Sequence, residues 1–136
     1  LTLVTGVQTC ALPILGTRFA LTEESSASSG FKDYCLSLRE GDTKLLLKKL
    51  APTRLVKNAF REAVEKAEDS GASAEDLRTL LGRGRAKKGI FEGDLEEGEL
   101  EIGQVSAIIS RRQSVAEVMD ELVAAYQRAA KKDYLF

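Results

Sequence analysis

Six glycines between residues 82 and 103 place the strongest limit on how this chain can fold. They stand at positions 82, 84, 89, 93, 98 and 103. Glycine is costly inside a regular helix or strand, because it loses more conformational freedom on folding than any other residue. The stretch therefore predicts a break in regular structure, and it separates two amphipathic segments in a way that ordinary helical bundles do not.

The charges in this glycine-rich stretch change sign along the chain. The basic residues Arg83, Arg85, Lys87 and Lys88 precede an acidic run at residues 92–101. Opposite charges on the two sides of a turn predict ion pairs inside the stretch. Exposed pairs contribute only about 0–1 kcal/mol each, so we expect little stability from them.

Apolar spacing predicts helices in the first half of the chain. A short helix from about Ser28 to Arg39 would place four residues on one face: Phe31, Tyr34, Cys35 and Leu38. The stretch from Thr53 to Ser70 has an amphipathic helical pattern that stops at Gly71. Residues 43–50 fit either a short strand or a helix, because both patterns are present there.

Capping residues indicate where two further helices begin. Ser73, with Asp76 three residues later, opens a helix that ends at Gly82. Ser114 and Glu117 form a capping box in front of a final helix. The predicted apolar stripe of that helix consists of Val115, Val118, Met119, Leu122, Val123 and Tyr126. With a short helix over residues 104–109, the predicted chain is mostly α, with one or two short strands.

The composition argues against several functional classes. With 20 basic and 21 acidic residues the net charge is −1, so there is no electrostatic case for binding nucleic acid or an anionic membrane. No apolar run reaches the roughly 18 residues that a membrane span needs. The chain has no histidine, the commonest general base, which also argues against zinc and haem sites. Cys10 and Cys35 are expected to be free thiols, Cys35 buried and inert, in a cytoplasmic protein.

The first fourteen residues are expected to be foreign to the protein. Residues 4–14 resemble the in-frame translation of a short-read sequencing adapter over eleven consecutive positions. No basic region precedes this apolar stretch, which argues against a signal peptide. A native strand from Leu1 to Val7 is the alternative. Because the chain starts with Leu, we expect a reading frame truncated upstream, and we assign residues 1–14 to a non-native segment.

The residues that follow resemble part of a known enzyme family. The segment consists of Gly16-Thr17-Arg18-Phe19 and, after two residues, Thr22-Glu23-Glu24-Ser25. It resembles the chain after the eighth strand in FMN-dependent (β/α)₈ enzymes of the nitronate monooxygenase family, which are related to flavin-dependent enoyl reductases. The resemblance implies that Gly16 and Thr17 hold the FMN phosphate. Their chemistry suits that role, since glycine lets the backbone approach an anion and the threonine hydroxyl donates a hydrogen bond.

Two further segments resemble the same family and follow in the same order. Residues 54–60 are similar to one family segment, and residues 93–98 with 103–109 resemble its closing signature. The resemblance implies that Gly103 and Gln104 lie beside the cofactor. Asp94 is expected to cap a turn rather than to touch substrate.

The family resemblance implies a division of the chain and a parent fold. Residues 15–21 would end the last barrel strand, and residues 22–102 would form a small cap subdomain. Residues 103–130 would supply C-terminal barrel helices, and residues 131–136 would be a frayed tail. The parent fold would be α/β, a (β/α)₈ TIM barrel of which this chain is a fragment.

The implied function is that of a flavoprotein oxidoreductase acting on a small-molecule substrate. Nitronate monooxygenase activity, which uses O₂, is the first expectation. Enoyl-acyl-carrier-protein reduction with NAD(P)H is the alternative, and a small helical interaction module without a cofactor is an alternative of another class. The family's upstream histidine and glycine-rich phosphate loop are absent, so we expect no catalytic residue here and an inactive fragment that binds FMN weakly. The oligomeric state is left open.

Overall fold

The computed structural model describes residues 15–130. The predictions for residues 1–14 and for the tail at 131–136 lie outside this part of the chain. The first described element, α1, is a helix at residues 15–20. The prediction of a strand end at 15–21 is therefore wrong. The helix ends in a turn in which the Thr22 amide and the Thr22 hydroxyl both donate to the Phe19 carbonyl.

Helix α2 spans Ser29–Leu36 and is capped by the Ser28 side chain, which accepts a hydrogen bond from the Phe31 amide. Of the four residues predicted on its apolar face, Tyr34 is half-buried and the other three are buried: Phe31, Cys35 and Leu38. The prediction of this face is confirmed. The predicted burial of the free Cys35 thiol is confirmed, and this burial raises its pKa to about 12.

A two-stranded antiparallel hairpin follows. Strand β1 (Thr43–Leu46) pairs with strand β2 (Thr53–Val56), so that Thr43 lies opposite Val56. Residues 43–50 fit either a short strand or a helix in the sequence, and the structure has a strand there, at Thr43–Leu46. The predicted helix over 53–70 is wrong in its first part, because residues 53–56 form a strand that pairs with β1 instead.

The next helix, α3 (Ala59–Asp69), begins where a side chain can cap it. The Asn58 side chain accepts a hydrogen bond from the Arg61 amide at 2.8 Å. Helix α4 (Ala74–Leu81) starts with the predicted capping box of Ser73 and Asp76, and Gly82 follows it with a φ of 66°. Both the cap and the glycine stop are confirmed.

The glycine-rich stretch contains a short π-helical segment, Lys87–Phe91, and leads into a 3₁₀ helix, Gln104–Ile108. Between them, residues 100–102 run antiparallel to β2. The Val56 amide donates to the Leu100 carbonyl at 2.9 Å. The chain thereby returns from the glycine-rich stretch to the hairpin, and the short helix predicted at 104–109 is confirmed.

The last helix, α5, spans Val115–Ala130. The predicted capping box is confirmed, since the Ser114 and Glu117 side chains each bond the other's backbone amide. The predicted apolar stripe is mostly not packed: Val118 is buried, whereas four of its members are exposed, namely Val115, Met119, Val123 and Tyr126. The sequence pattern is that of a packed helix, but this face has no partner within residues 15–130.

The core consists of two apolar clusters on either side of β2. Val56 packs with α2 residues and with Leu100 and Ile102, while Leu55 packs with Phe60 and Leu77 of α3 and α4. Successive residues of a strand point to opposite faces, so one short strand serves both clusters. The described chain is mostly helical with two short strands, as predicted. Within residues 15–130, no helix has the length and apolar character needed to cross a membrane.

Candidate functional site

An open cleft of about 1510 Å³ lies between α1, the hairpin and residues 101–108. All four residues predicted to contact a cofactor line it: Gly16, Thr17, Gly103 and Gln104. They come from two parts of the sequence more than 80 residues apart. The structure therefore brings the predicted site residues together in one place.

The contact between the two parts is a hydrogen bond. The Gly103 amide donates to the Thr17 hydroxyl oxygen at 3.1 Å, and Thr17 is only 5% exposed. Gly103 is held in position because the preceding Ile102 amide donates to the Arg54 carbonyl of β2 at 3.4 Å. The Thr17 hydroxyl accepts from Gly103 and donates to no acceptor within residues 15–130, so its proton can serve an acceptor in the cleft.

The glycine at position 16 leaves open space at the same wall. A Cβ built on Gly16 would meet no heavy atom within 4 Å outside its immediate neighbours. A ligand can therefore approach the backbone there more closely than it could beside a larger residue.

Charged residues that the sequence analysis did not assign to the site also line the cleft. They are Arg39, Glu40, Arg54 and Glu101. Arg54 was missed because residues 53–70 were interpreted as one helix. In a strand, Arg54 and Val56 share a face, and strand alternation would have placed Arg54 beside the cleft.

Two glutamates in the segment that returns to the hairpin have raised pKa values, and one of them, Glu101, lines the cleft. Burial raises the pKa of the Glu101 carboxyl. Glu99 is 8% exposed, and its pKa is raised to about 6, chiefly by burial and then by the charge of Glu101, with Arg85 acting in the opposite direction. This side of the hairpin therefore carries less negative charge at mildly acidic pH than its composition suggests.

The glycine-rich stretch forms the predicted ion pairs across its turns. Arg85 pairs with Glu97 at 3.7 Å and Lys88 with Asp94 at 3.8 Å. The Asp94 carboxylate accepts hydrogen bonds from the Glu96 and Glu97 amides, and these bonds lower its pKa. Asp94 therefore caps a turn, as predicted.

A second, smaller cavity of about 160 Å³ lies beside α5. It is lined by a polar network in which Arg18 donates to Gln113 at 2.9 Å, and Gln113 donates to Glu121 at 2.7 Å. These polar groups mostly bond one another, while the buried Arg18 Nε has no hydrogen-bond partner within residues 15–130. In the part of the chain that the structure describes, no three Cys, Asp or Glu side chains are grouped to hold a metal ion.

A family comparison identifies the group of proteins to which this arrangement belongs. The model of the family described as nitronate monooxygenase matches residues 3–125. The chain belongs to the nitronate monooxygenase family. The match begins within the first fourteen residues, whose adapter origin stays a prediction.

Solved structures show the same fold as the described chain. FabK from Thermotoga maritima superimposes with a TM-score of 0.74 at 22% sequence identity, over 85% of this chain and 36% of that one. A methionine-to-alanine mutant of FabK from Thermotoga maritima gives a TM-score of 0.68 at 20% identity, over 85% and 34% of the two chains. The chain thus spans about a third of the length of these proteins. No curated protein matches the sequence.

Proposed function

We propose that this chain carries part of the FMN site of a flavin-dependent oxidoreductase, with the FMN phosphate held at Gly16 and Thr17. The observation that carries the proposal is the convergence of these residues with Gly103 and Gln104 in one cleft, in a chain of the nitronate monooxygenase family. The parent would be a TIM barrel, with residues 22–102 as its cap and residues 103–130 as its last helices.

The cleft residues fit a phosphate group. Gly16 leaves room for close approach, and the Thr17 hydroxyl, which donates to no acceptor within residues 15–130, can donate to a phosphate oxygen. The Gly103 amide is already bonded to Thr17, so Gly103 would orient that hydroxyl rather than bind phosphate itself. Gln104 is exposed and carries an amide that can reach a ligand in the cleft.

FMN supplies the redox chemistry when it is bound, and the protein supplies its placement. Two reactions fit such a cofactor, each with a small-molecule substrate. Oxidation of alkyl nitronates with O₂ is the one we favour, because the matching family model is that of nitronate monooxygenase. Enoyl-acyl-carrier-protein reduction with NAD(P)H is the alternative. Family membership disfavours a helical module without a cofactor.

The phosphate role is tested by comparing FMN with riboflavin, which lacks the phosphate. We expect the chain to quench FMN fluorescence with weak affinity and to bind riboflavin more weakly still. Thr17→Val should remove this difference, whereas Thr79→Val, on the exposed surface of α4, should leave it unchanged. Equal binding of FMN and riboflavin by the unaltered chain would count against the proposal.

The reaction itself is tested on a longer protein. We expect the purified chain to be colourless and to turn over neither substrate, because one group of phosphate contacts does not enclose an isoalloxazine ring. Extending the gene upstream in the source DNA should add a histidine-containing barrel in frame with Leu15. That protein would be assayed with propane-2-nitronate and O₂, and separately with NAD(P)H and an enoyl thioester.

A further inference from the structure

Arg54 stands apart from the other arginines of the described chain. It is half-buried on the cleft wall, and no carboxylate oxygen of residues 15–130 lies within 4.0 Å of its guanidinium. Every other partly buried arginine in that range forms an ion pair: these are Arg18, Arg61, Arg85 and Arg112. Arg54 therefore presents a charge on the cleft wall that no carboxylate of the described residues neutralises.

The neighbours of Arg54 position its side chain but leave most of its donors free. Its Nη1 donates to the Thr43 carbonyl at 3.5 Å and to the Thr43 hydroxyl at 3.3 Å. Both bonds are long, and both use the same nitrogen. Within residues 15–130, Nη2 and Nε make no hydrogen bond. Thr43 thus anchors one corner of the guanidinium, and two of its nitrogens keep donors for a ligand.

The cleft carries acidic groups as well, and they restrict what can bind. Glu40 and Glu101 line it, and burial raises the Glu101 pKa. An anion entering the cleft therefore gains most from the guanidinium itself, through paired hydrogen bonds, rather than from a broad positive field. A planar oxyanion with two oxygens on one atom matches the fork of an arginine. Nitronates and carboxylates both have this geometry.

We propose that Arg54 is a substrate-binding residue whose guanidinium binds the planar oxyanion of a ligand in the cleft. The inference rests on the proposed function. It assigns substrate binding to Arg54 in the same cleft in which Thr17 would hold the FMN phosphate. The backbone of Arg54 is bonded to Ile102, the residue before Gly103, so both roles lie on one short piece of structure.

The test is a ligand-observed NMR titration of the full chain with propane-2-nitronate, with isobutyrate as the carboxylate probe. Arg54→Gln should weaken nitronate binding by at least about 10-fold, the effect of losing a charge-assisted pair of hydrogen bonds. Arg54→Lys keeps the charge but loses the fork, so it should give an intermediate affinity. Arg83→Gln removes the same charge at an exposed position and should leave affinity unchanged. Neutral 2-nitropropane should bind more weakly than the nitronate.

Far-UV circular dichroism establishes that each variant is folded before titration. Unchanged nitronate affinity in folded Arg54→Gln, or no nitronate binding by the unaltered chain, would overturn the inference. So would inorganic phosphate binding with the same dependence on Arg54, because Arg54 would then belong to the phosphate site. FMN and riboflavin are titrated into the same variants. A chain that lacks a preference for FMN, but whose nitronate binding depends on Arg54, would count against the proposed flavin site alone.

Discussion

The Thr17 hydroxyl and the Gly103 amide join two segments 86 residues apart through one part-buried hydrogen bond of 3.1 Å. No other hydrogen bond among the described residues joins α1 to the segment 100–108. The bond positions Thr17 at the cleft and satisfies the Gly103 amide at the start of the 3₁₀ helix. Its loss would therefore affect both stability and the shape of the candidate site.

Thr17→Val should destabilise the protein. Valine is close to threonine in shape but leaves the part-buried Gly103 amide without its acceptor, and the loss of such a hydrogen bond costs about 0.5–1.5 kcal/mol. The free energy of unfolding from urea titration measures this loss. Thr17→Ser retains the oxygen and should lose less. A Thr17→Val variant as stable as the unaltered chain would contradict the role given to this bond.

Gly98 and Gly89 allow two backbone segments to approach very closely. A Cβ built on Gly98 would lie 2.2 Å from the Gly89 Cα and 2.3 Å from the Asp94 carbonyl oxygen. Neither atom belongs to a flexible side chain, so the clash is not relieved by a rotamer change. We expect Gly98→Ala to cost about 3 kcal/mol or more.

Gly16→Ala is the matched control for that substitution. Gly16 lies in helix α1 and has open space around it. Alanine is preferred to glycine in helices by up to about 1 kcal/mol, so Gly16→Ala should leave stability unchanged or raise it. Both variants would be compared by thermal or urea unfolding. Similar effects at the two positions would show that the close approach at Gly98 is not what limits substitution there.

Local signals in the sequence predict much of the fold. Ser73 and Ser114 cap the helices that their capping boxes predict, because these bonds form between residues three apart in sequence. The face of α2 is predicted from its spacing for the same reason. Strand β2 is not predicted by such local signals. Leu55 and Val56 suit either a helix or a strand, and their pairing with β1 depends on residues that are distant in the sequence.

The candidate site is predicted in part. Gly16, Thr17, Gly103 and Gln104 follow from family resemblance, and the structure groups them, although no local pattern shows that Thr17 and Gly103 touch. Lys32 illustrates what sequence cannot show. It lies on the polar side of the pattern, yet it is buried and its ammonium donates to the Glu23 and Ser25 carbonyls. Only the path of the preceding loop makes those acceptors available.

The exposed face of α5 should promote association between chains. Met119 and Val123 are about half-exposed, Tyr126 is 74% exposed, and all three lie on one side of the helix. Val123→Lys should reduce the apparent mass in size-exclusion chromatography with light scattering, because it places a charge in the centre of this apolar face. Ala125→Lys adds the same charge at an exposed position on the opposite face, because residues two apart in a helix do not share a face, and it should have little effect. A strictly monomeric unaltered chain would contradict this prediction.

Glu99 should make stability depend on pH near neutrality. Its folded pKa of about 6 is above its ordinary value of 4.5, because burial, and then the charge of Glu101, disfavour the ionised form. The folded state therefore binds the Glu99 proton more strongly than the unfolded state does. The stability contributed by this group is fully present below about pH 4.5 and is lost as the pH rises through 6. At 1.36 kcal/mol per pKa unit, the loss is about 2 kcal/mol.

Glu99→Gln removes this titration, so its stability relative to the unaltered chain should rise by about 2 kcal/mol between pH 4 and pH 7. The quantity to compare at each pH is the difference in the free energy of unfolding between Glu99→Gln and the unaltered chain, because other groups also titrate in this range. The pKa values of Glu65, Asp76, Asp94, Glu117 and Glu121 are lowered, so these groups stabilise the fold less as the pH falls. Urea unfolding across this range gives the measurement, and Glu62→Gln, on the exposed face of α3, is the control. A difference between Glu99→Gln and the unaltered chain that stays constant with pH would mean that Glu99 ionises normally, and that its surroundings admit more water than its 8% exposure implies.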